Sequence, residues 1–195
     1  ARPSAPDPEE PRHLAEAAAQ LKLTHVVITS VARDDLPDQG AGHFVRCIHA
    51  VRERLPGASV EVLTPDFRGD EHCLVTVLEA GPDVFNHNLE TVERLSLRVR
   101  PQARYRRSLA VLARARELAP GVLTKSGMML GLGESEAELD GALAHLADTG
   151  CRLLTLGQYL QPTKKHHEVV RFVPPEEFKG FGTTAYARGF LLVSA

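Results

Sequence analysis

The stretch "VLTKSGMMLGLGESEAELDGALAHLADTG", residues 122–150, changes period halfway. Its first nine residues, 122–130, are mostly apolar and read as a strand. From Glu134 onward acidic residues fill the first turns, apolar positions recur at helical spacing, and Gly150 stands where a helix would stop. Between the two halves lie Gly127, Gly131 and Gly133, although glycine weakens an ordinary buried strand. Two explanations compete. The glycines either let a strand turn tightly into a helix, or they let a ligand lie against the backbone where the helix opens.

The same alternation runs outward in both directions. "HVVITSV" (25–31), "SVEVLTPDF" (59–67), "DVFNHNL" (83–89) and "RLLTLGQYL" (152–160) have the same strand character, and the final "GFLLVSA" reads as another. Helical patterns separate them. "PEEPRHLAEAAAQL" follows Asp7 as a cap, "GHFVRCIHAVRERL" puts Phe44, Ile48, Val51 and Leu55 on one face, and "YRRSLAVLARAREL" repeats the pattern. "EHCLVTVLEAG" is ambiguous. "QPTKKHHEVVRFVPPEEF" (161–178) reads as a long polar connection, functional or docking rather than part of the frame. This rhythm predicts α/β architecture, with parallel strands and helices in a partial (β/α) barrel spanning 1–195 as one domain; a doubly wound sheet is the alternative.

Composition sets the outer bounds. The chain has 195 residues, 43% apolar and 25% charged, as a soluble globular domain does. Its 23 basic and 25 acidic residues give a net charge of -2, so no overall field recruits nucleic acid or an anionic membrane. No apolar run approaches the roughly 20 residues that cross a bilayer. The start, "ARPSAPDPEEPRHL", lacks both a signal-peptide pattern and an initiator Met, so the expectation is a chain cut from something longer, from a bacterial cytoplasm or an organelle matrix. Cys47, Cys73 and Cys151 form no CxxC pair, so the expectation is three buried thiols in a reducing compartment and no metal ligand.

In folds of this kind, side chains at the C-terminal ends of the strands line the site. Those ends carry Ser30, Arg33, Asp34 and Asp35; then Asp66 and Arg68; then Asn86, His87, Asn88 and Glu90; then Lys125, Ser126 and the glycines; then Gln158, Tyr159 and Gln161. Each has an ordinary reading as well. Asp34 and Asp35 can cap a turn, Arg68 can form an exposed ion pair, His87 can be a bonded core residue, and Arg98, Arg104, Arg106 and Arg107 can be a solvated helix face. Five consecutive polar strand ends, however, are more than a stable barrel requires. Amides and carboxylates suit a ligand with hydroxyls, an amine and a base edge: Glu90 for a ribose diol, Asn88 for a carboxylate or amine, the glycines for an adenosine-sized group. None of these residues is a redox group, so difficult chemistry would have to come from a cofactor.

The stretches "VVITSVARDDLPDQGAGHF", "EVLTPDFRGD", "DVFNHNLETVERL", "VRPQARYRRSL", "TKSGMMLGLGES" and "LTLGQYLQPTKKHH", in this order, closely resemble the lipoyl synthases, radical S-adenosylmethionine enzymes, over roughly residues 7–195. Gly127, Met129, Gly131 and Glu134 also resemble the superfamily's GxIxGxxE element, which supports the cofactor's adenine. The resemblance implies S-adenosylmethionine and two [4Fe–4S] clusters. Together they insert two sulfur atoms at C6 and C8 of an octanoyl-lysine on a carrier domain, an E2 subunit of a 2-oxoacid dehydrogenase or the glycine-cleavage H protein, with ferredoxin or flavodoxin as electron donor. It also implies Ser30, Arg33 and Asp34 near the methionyl end, and Asn88, Glu90, Ser126 and Arg104 near the ribose and carboxylate. Gln158 to Gln161 fall near the adenine or acyl chain, Asn86 and Lys125 complete the cofactor-facing set, and Lys164, Lys165, His166 and His167 fall where a carrier would dock.

Departures accompany the likeness. The family's two cysteine motifs and its "RSSY" element are absent from the sequence, which implies a chain truncated at both ends and inactive alone. Ala32 stands where "VDRDDL" is usual, and "KGFGTTAYARGF" where the family has a more helical, acidic stretch. Two other readings stay open. One is a degenerate module that binds S-adenosylmethionine or a carrier without catalysis. The other is a Schiff-base barrel with Lys125 as nucleophile.

Overall fold

A computed structural model describes residues 3–102 and 104–195. The chain packs as two compact units, residues 1–86 with 118–122, and residues 87–117 with 123–195.

The first unit runs α1 (Glu10–Gln20), β1 (His25–Thr29), α2 (Ala41–Arg54), β2 (Ser59–Leu63), α3 (Glu71–Glu79) and β3 (Val84–Asn86). β1 pairs parallel with β2 from His25↔Ser59 to Thr29↔Leu63, and β2 pairs parallel with β3 from Glu61↔Val84 to Leu63↔Asn86. Val26 and Ile28 of β1 are buried while His25, Val27 and Thr29 are exposed, as a half-covered strand requires. Ala15 and Ala18 from α1, and Phe44, Ile48 and Val51 from α2, supply buried helix faces; Leu55, expected on the α2 face, lies past its end. The ambiguous "EHCLVTVLEAG" is helix α3. Asp70 fixes it by accepting from the His72 N–H, and Leu74 and Val77 bury its inner face. β2 stops short of the predicted residue 67 because Phe67–Gly69 forms a tight turn in which Arg68 takes φ 52°.

The second unit runs α4 (Glu93–Val99), α5 (Tyr105–Leu118, whose last residue clusters with the first unit), β4 (Leu123–Leu130), α6 (Glu136–Asp148), β5 (Leu153–Gln158), α7 (Pro175–Ala187) and β6 (Leu192–Ser194). β4 pairs parallel with β5, and β5 with β6. Leu112, Leu130, Leu139, Leu143, Leu146 and Leu154 are almost wholly buried, which accounts for the leucine spacing along α5, α6 and the two strands. The start of α6 is a capping box, with Ser135 and Glu138 each bonding the other's backbone N–H. The Arg94 guanidinium grips the same Glu138 carboxylate at 2.6 and 3.0 Å.

The C-terminal part corrects the sequence reading. "KGFGTTAYARGF" is helical for most of its length, and α7 begins at Pro175, inside the predicted connection. Pro175 suits a first turn, Glu176 and Glu177 face the positive helix end, and the buried Ala185 outweighs the two interior glycines. At Gly182 the helix also runs close to β6, since a methyl there would meet the Val193 side chain at 3.9 Å.

The α6 cap carries a pH signature. Hydrogen bonds from Arg94 and the Ser135 backbone hold Glu138 well below its ordinary value, at about 2. A depressed carboxylate stabilises the fold above its unfolded pKa of about 4.3 and loses that contribution as pH falls toward 2. In urea titrations Glu138→Gln is therefore expected to be less stable than wild type at pH 7, with the two midpoints converging below pH 4.3. A gap that stays constant through the acid range would contradict this assignment.

Candidate ligand-binding strand ends

In the first unit, Ser30 follows β1 directly and lines a cavity of about 250 Å³ together with Leu14, Ile28, Arg33, Phe44 and Cys47. Arg33 is committed to its own chain. Its guanidinium donates twice to Asp35 at 2.8 Å and once to the Ser4 carbonyl at 2.9 Å. Asp34 forms an exposed ion pair with Arg68 at 2.9 Å, the ordinary reading of both residues, and such a pair contributes at most about 1 kcal/mol.

Asn86 ends β3 and is 5% exposed. Its Nδ2 donates to Glu61 Oε1 at 2.7 Å, while its Oδ1 has no hydrogen-bond partner among the described residues. A buried acceptor left unmatched costs about 1–3 kcal/mol, so Asn86 points to a donor that the described residues do not supply. Glu61, 3% exposed, orients that amide and faces His25 Nε2 at 3.5 Å. The sequence did offer a signal for it: one glutamate at the centre of "SVEVL", where a buried strand calls for an apolar residue.

In the second unit the strand ends are tied together. Past β3, Glu90 takes φ 71° and bridges to Met128; its N–H donates to the Gly127 carbonyl at 2.9 Å and its carbonyl accepts from Met129 N–H at 2.7 Å. Asn88 lies against Gly127, where a Cβ would come within 2.7 Å of Asn88 Oδ1, so a larger residue there would push the Asn88 side chain aside. Arg100, which the sequence did not single out, sits 3.5 Å from the Glu90 carboxylate and donates to the Asn88 carbonyl at 3.3 Å. His87 is 1% exposed and bonds Ser108 Oγ at 2.9 Å, as a core histidine does. Arg104 is exposed just before α5.

The β4 stretch reads differently in three dimensions. The strand continues through Leu130, so Lys125, Ser126 and Gly127 are strand-interior positions and not its end. Lys125 is the third residue of β4, and its carbonyl accepts from His87 N–H. That removes the strand-end placement on which the Schiff-base reading rested. Ser126 is fully buried and accepts from Leu89 N–H at 3.1 Å, a packing role. The true end of β4 is the turn at Gly131, and that turn is filled by the protein itself. A methyl on Gly131 would collide with the Arg171 carbonyl and come within 2.6 Å of Gln158 Nε2, and its φ of 94° is left-handed. Glu134 turns back over the loop and accepts from Gly131 N–H at 2.7 Å and Leu132 N–H at 2.9 Å. Gln158 donates to the Tyr159 and Arg171 carbonyls and accepts from Val173 N–H at 2.8 Å, and Gln161 donates to the His166 carbonyl. The space beside Gly131 expected to admit an adenosine thus holds the residue 170–173 strap.

Residues 2–146 match the family model described as the Radical SAM superfamily, and the chain belongs to that superfamily. Similar solved structures include Streptococcus suis SuiB bound to S-adenosylmethionine (TM-score 0.73, 11% identity), HydG, a maturase of the [FeFe]-hydrogenase (0.71, 16%), and methylornithine synthase PylB (0.67, 14%). Each likeness covers 100% of this chain but only 44%, 50% and 63% of the respective other chain. At these identities the likeness establishes the fold, an α/β partial barrel of parallel strands alternating with helices.

Superfamily membership implies S-adenosylmethionine and a [4Fe–4S] cluster. Of the polar strand ends, Asn86 fits the first, since its unmatched acceptor suits a hydroxyl or amine donor. The cysteines do not fit the second. Cys47, Cys73 and Cys151 are free, buried and scattered, and no group of three His, Cys, Asp or Glu among the described residues is placed to hold a metal ion. Burial pushes the Cys47 thiol up to about 11 and the Cys151 thiol up to about 12, the opposite of what a thiolate ligand needs.

Two outcomes follow from this geometry. Gly131→Ala should cost about 1–3 kcal/mol from backbone strain alone and expose residues 161–172 to limited proteolysis; unchanged stability and an unchanged cleavage pattern would contradict the close approach. In thiol titration at pH 8, Cys47 and Cys151 should stay unreactive until denaturant is added, whereas fast native labelling of either would contradict their burial.

Proposed function

We propose that this radical SAM chain is the barrel portion of a lipoyl synthase, which inserts two sulfur atoms at C6 and C8 of a protein-bound octanoyl-lysine. The observation that carries the reading is the ordered set "FNHNLE", "KSGMMLGLGE" and "LGQYLQP". The bridge from Glu90 to Met128, the contact of Asn88 with Gly127 and the clasp of Gln158 on the strap give those three stretches one shared structural role.

S-adenosylmethionine, when bound, supplies the hydrogen-abstracting radical. The chain's own residues bind and orient. In the first unit, Glu61 fixes the Asn86 amide so that Oδ1 faces a ligand donor. In the second, Glu90 and Asn88 present polar atoms past β3, with Arg100 balancing the carboxylate. Among the described residues, the three free, buried cysteines are not placed to hold a cluster. Substrate choice, a carrier domain such as an E2 subunit or the H protein, belongs to the same reading, as does a ferredoxin-type electron donor.

The test is anaerobic incubation of the native protein with S-adenosylmethionine, reductant and an octanoyl-lysine peptide. Formation of 5'-deoxyadenosine together with a product that has gained two sulfurs and lost two hydrogens is expected. Asn86→Asp, which loses the Nδ2 donor and sets a second buried carboxylate against Glu61, should weaken S-adenosylmethionine binding and also lower the unfolding midpoint at neutral pH. Formation of 5'-deoxyadenosine with no sulfur in the peptide would leave the superfamily chemistry standing and contradict the lipoyl assignment.

A further inference from the structure

We infer that Arg100 is the positioning residue that holds Glu90 and Asn88 ready for S-adenosylmethionine. This rests on the reading that the strand end past β3 meets that ligand, and not on sulfur insertion. The sequence puts Arg100 in place. Pro101 follows it and keeps the residue before it out of the helical region. Arg100 accordingly takes φ -135° and ψ 82° as the cap of α4, while its N–H donates to the Ser96 carbonyl at 2.8 Å. The turn it reaches is a strained one. Glu90 holds φ 71°, and its N–H and carbonyl are both bonded to β4, at Gly127 and Met129. Those bonds fix the backbone of Glu90 but not its carboxylate.

A single nitrogen of Arg100 serves both sides of that turn. Its Nη1 donates to the Asn88 carbonyl at 3.3 Å and lies 3.5 Å from Glu90 Oε1. Three nearby arginines are committed to structure instead. Arg94 grips Glu138 at 2.6 and 3.0 Å, Arg106 grips Glu93 at 2.7 and 2.8 Å, and Arg114 pairs with Glu117 at 2.9 Å. Glu93 and Arg94 thereby tie the first turn of α4 to α5 and α6, so the helix keeps its place without Arg100. An arginine kept for stability alone would be matched as closely as those three. At 3.3 and 3.5 Å the contacts of Arg100 have room to shorten, as positioning bonds do when a ligand loads them. Both partners are also within reach of a ligand, the Glu90 side chain being 20% exposed and that of Arg100 36%.

Equilibrium binding of S-adenosylmethionine to the native protein and its variants tests the role. Arg100→Gln and Glu90→Gln should each weaken binding about tenfold, and the double variant should bind no more weakly than the weaker single one, because one side chain acts through the other. Arg100→Lys keeps the charge but loses the planar fork, and should recover part of the affinity. Arg114→Gln on α5 should bind as the wild type does. Urea midpoints accompany each measurement, and that of Arg100→Gln should stay near wild type. If it falls steeply, the comparison passes to Arg100→Lys in the Glu90→Gln background, which should add nothing to the Glu90→Gln loss. Wild-type affinity in Arg100→Gln would overturn the assignment. Losses that multiply in either double variant would overturn it too, and would make Arg100 an independent contact. Sulfur insertion retained alongside those results would leave the lipoyl reading intact. Formation of 5'-deoxyadenosine without sulfur insertion would sink that reading and leave the Arg100 assignment standing.

Discussion

The second unit depends on one close approach, the Arg171 carbonyl passing over Gly131 where no Cβ is tolerated. From that point the other constraints follow. The left-handed turn ends β4, its freed N–H groups at Gly131 and Leu132 are taken by Glu134, and its carbonyl receives the strap. Gln158 at the end of β5 clasps the same strap from the other side. An alanine at 131 would disturb the strand end, the loop and the strap at once, so the glycines around "MML" are first a structural requirement. Gly127 answers the same question for a different neighbour, since it makes room for Asn88.

That arrangement changes how polar strand ends are to be understood. An amide at the end of a parallel strand has two possible employers, a ligand or the chain's own return segment. Gln158, Gln161, Glu134 and Ser126 work for the chain, and their bonds are accounted for. Asn86 differs: Glu61 fixes its amide, yet its Oδ1 remains unmatched among the described residues in a buried setting. Glu90, held at a positive φ with Arg100 beside its carboxylate, carries backbone strain of the kind found where a fold positions a group for use. Asn86 and Glu90 therefore bear more of the functional proposal than the glycine loop does.

The frame was legible in the sequence because it is written in periodicity. The leucines of α5 and α6 and the apolar runs of β1, β2, β4 and β5 follow the helical and strand repeats that packing demands. The span of β4, 122–130 in the sequence and Leu123–Leu130 in the structure, was legible, but the polar Lys125 and Ser126 were placed at its end although they lie in its interior. Helix α7 was obscured by Gly180 and Gly182, whose cost is offset by packing that no local pattern reveals. Contacts across long separations were likewise invisible, among them Gly131 with Arg171, Glu61 with Asn86, and Arg100 with Glu90. The family resemblance, by contrast, depended on motif order and reached the superfamily correctly.

Amide hydrogen exchange on the free protein tests the central claim most directly, namely that the strand ends of the second unit are locked by the strap around Gly131. Slow exchange at Gly131, Leu132, Val170 and Val173, comparable to the core of β4 and well below that of Lys164 and Lys165, is the predicted result. Exchange of those four amides at the rate of an open loop would contradict the account.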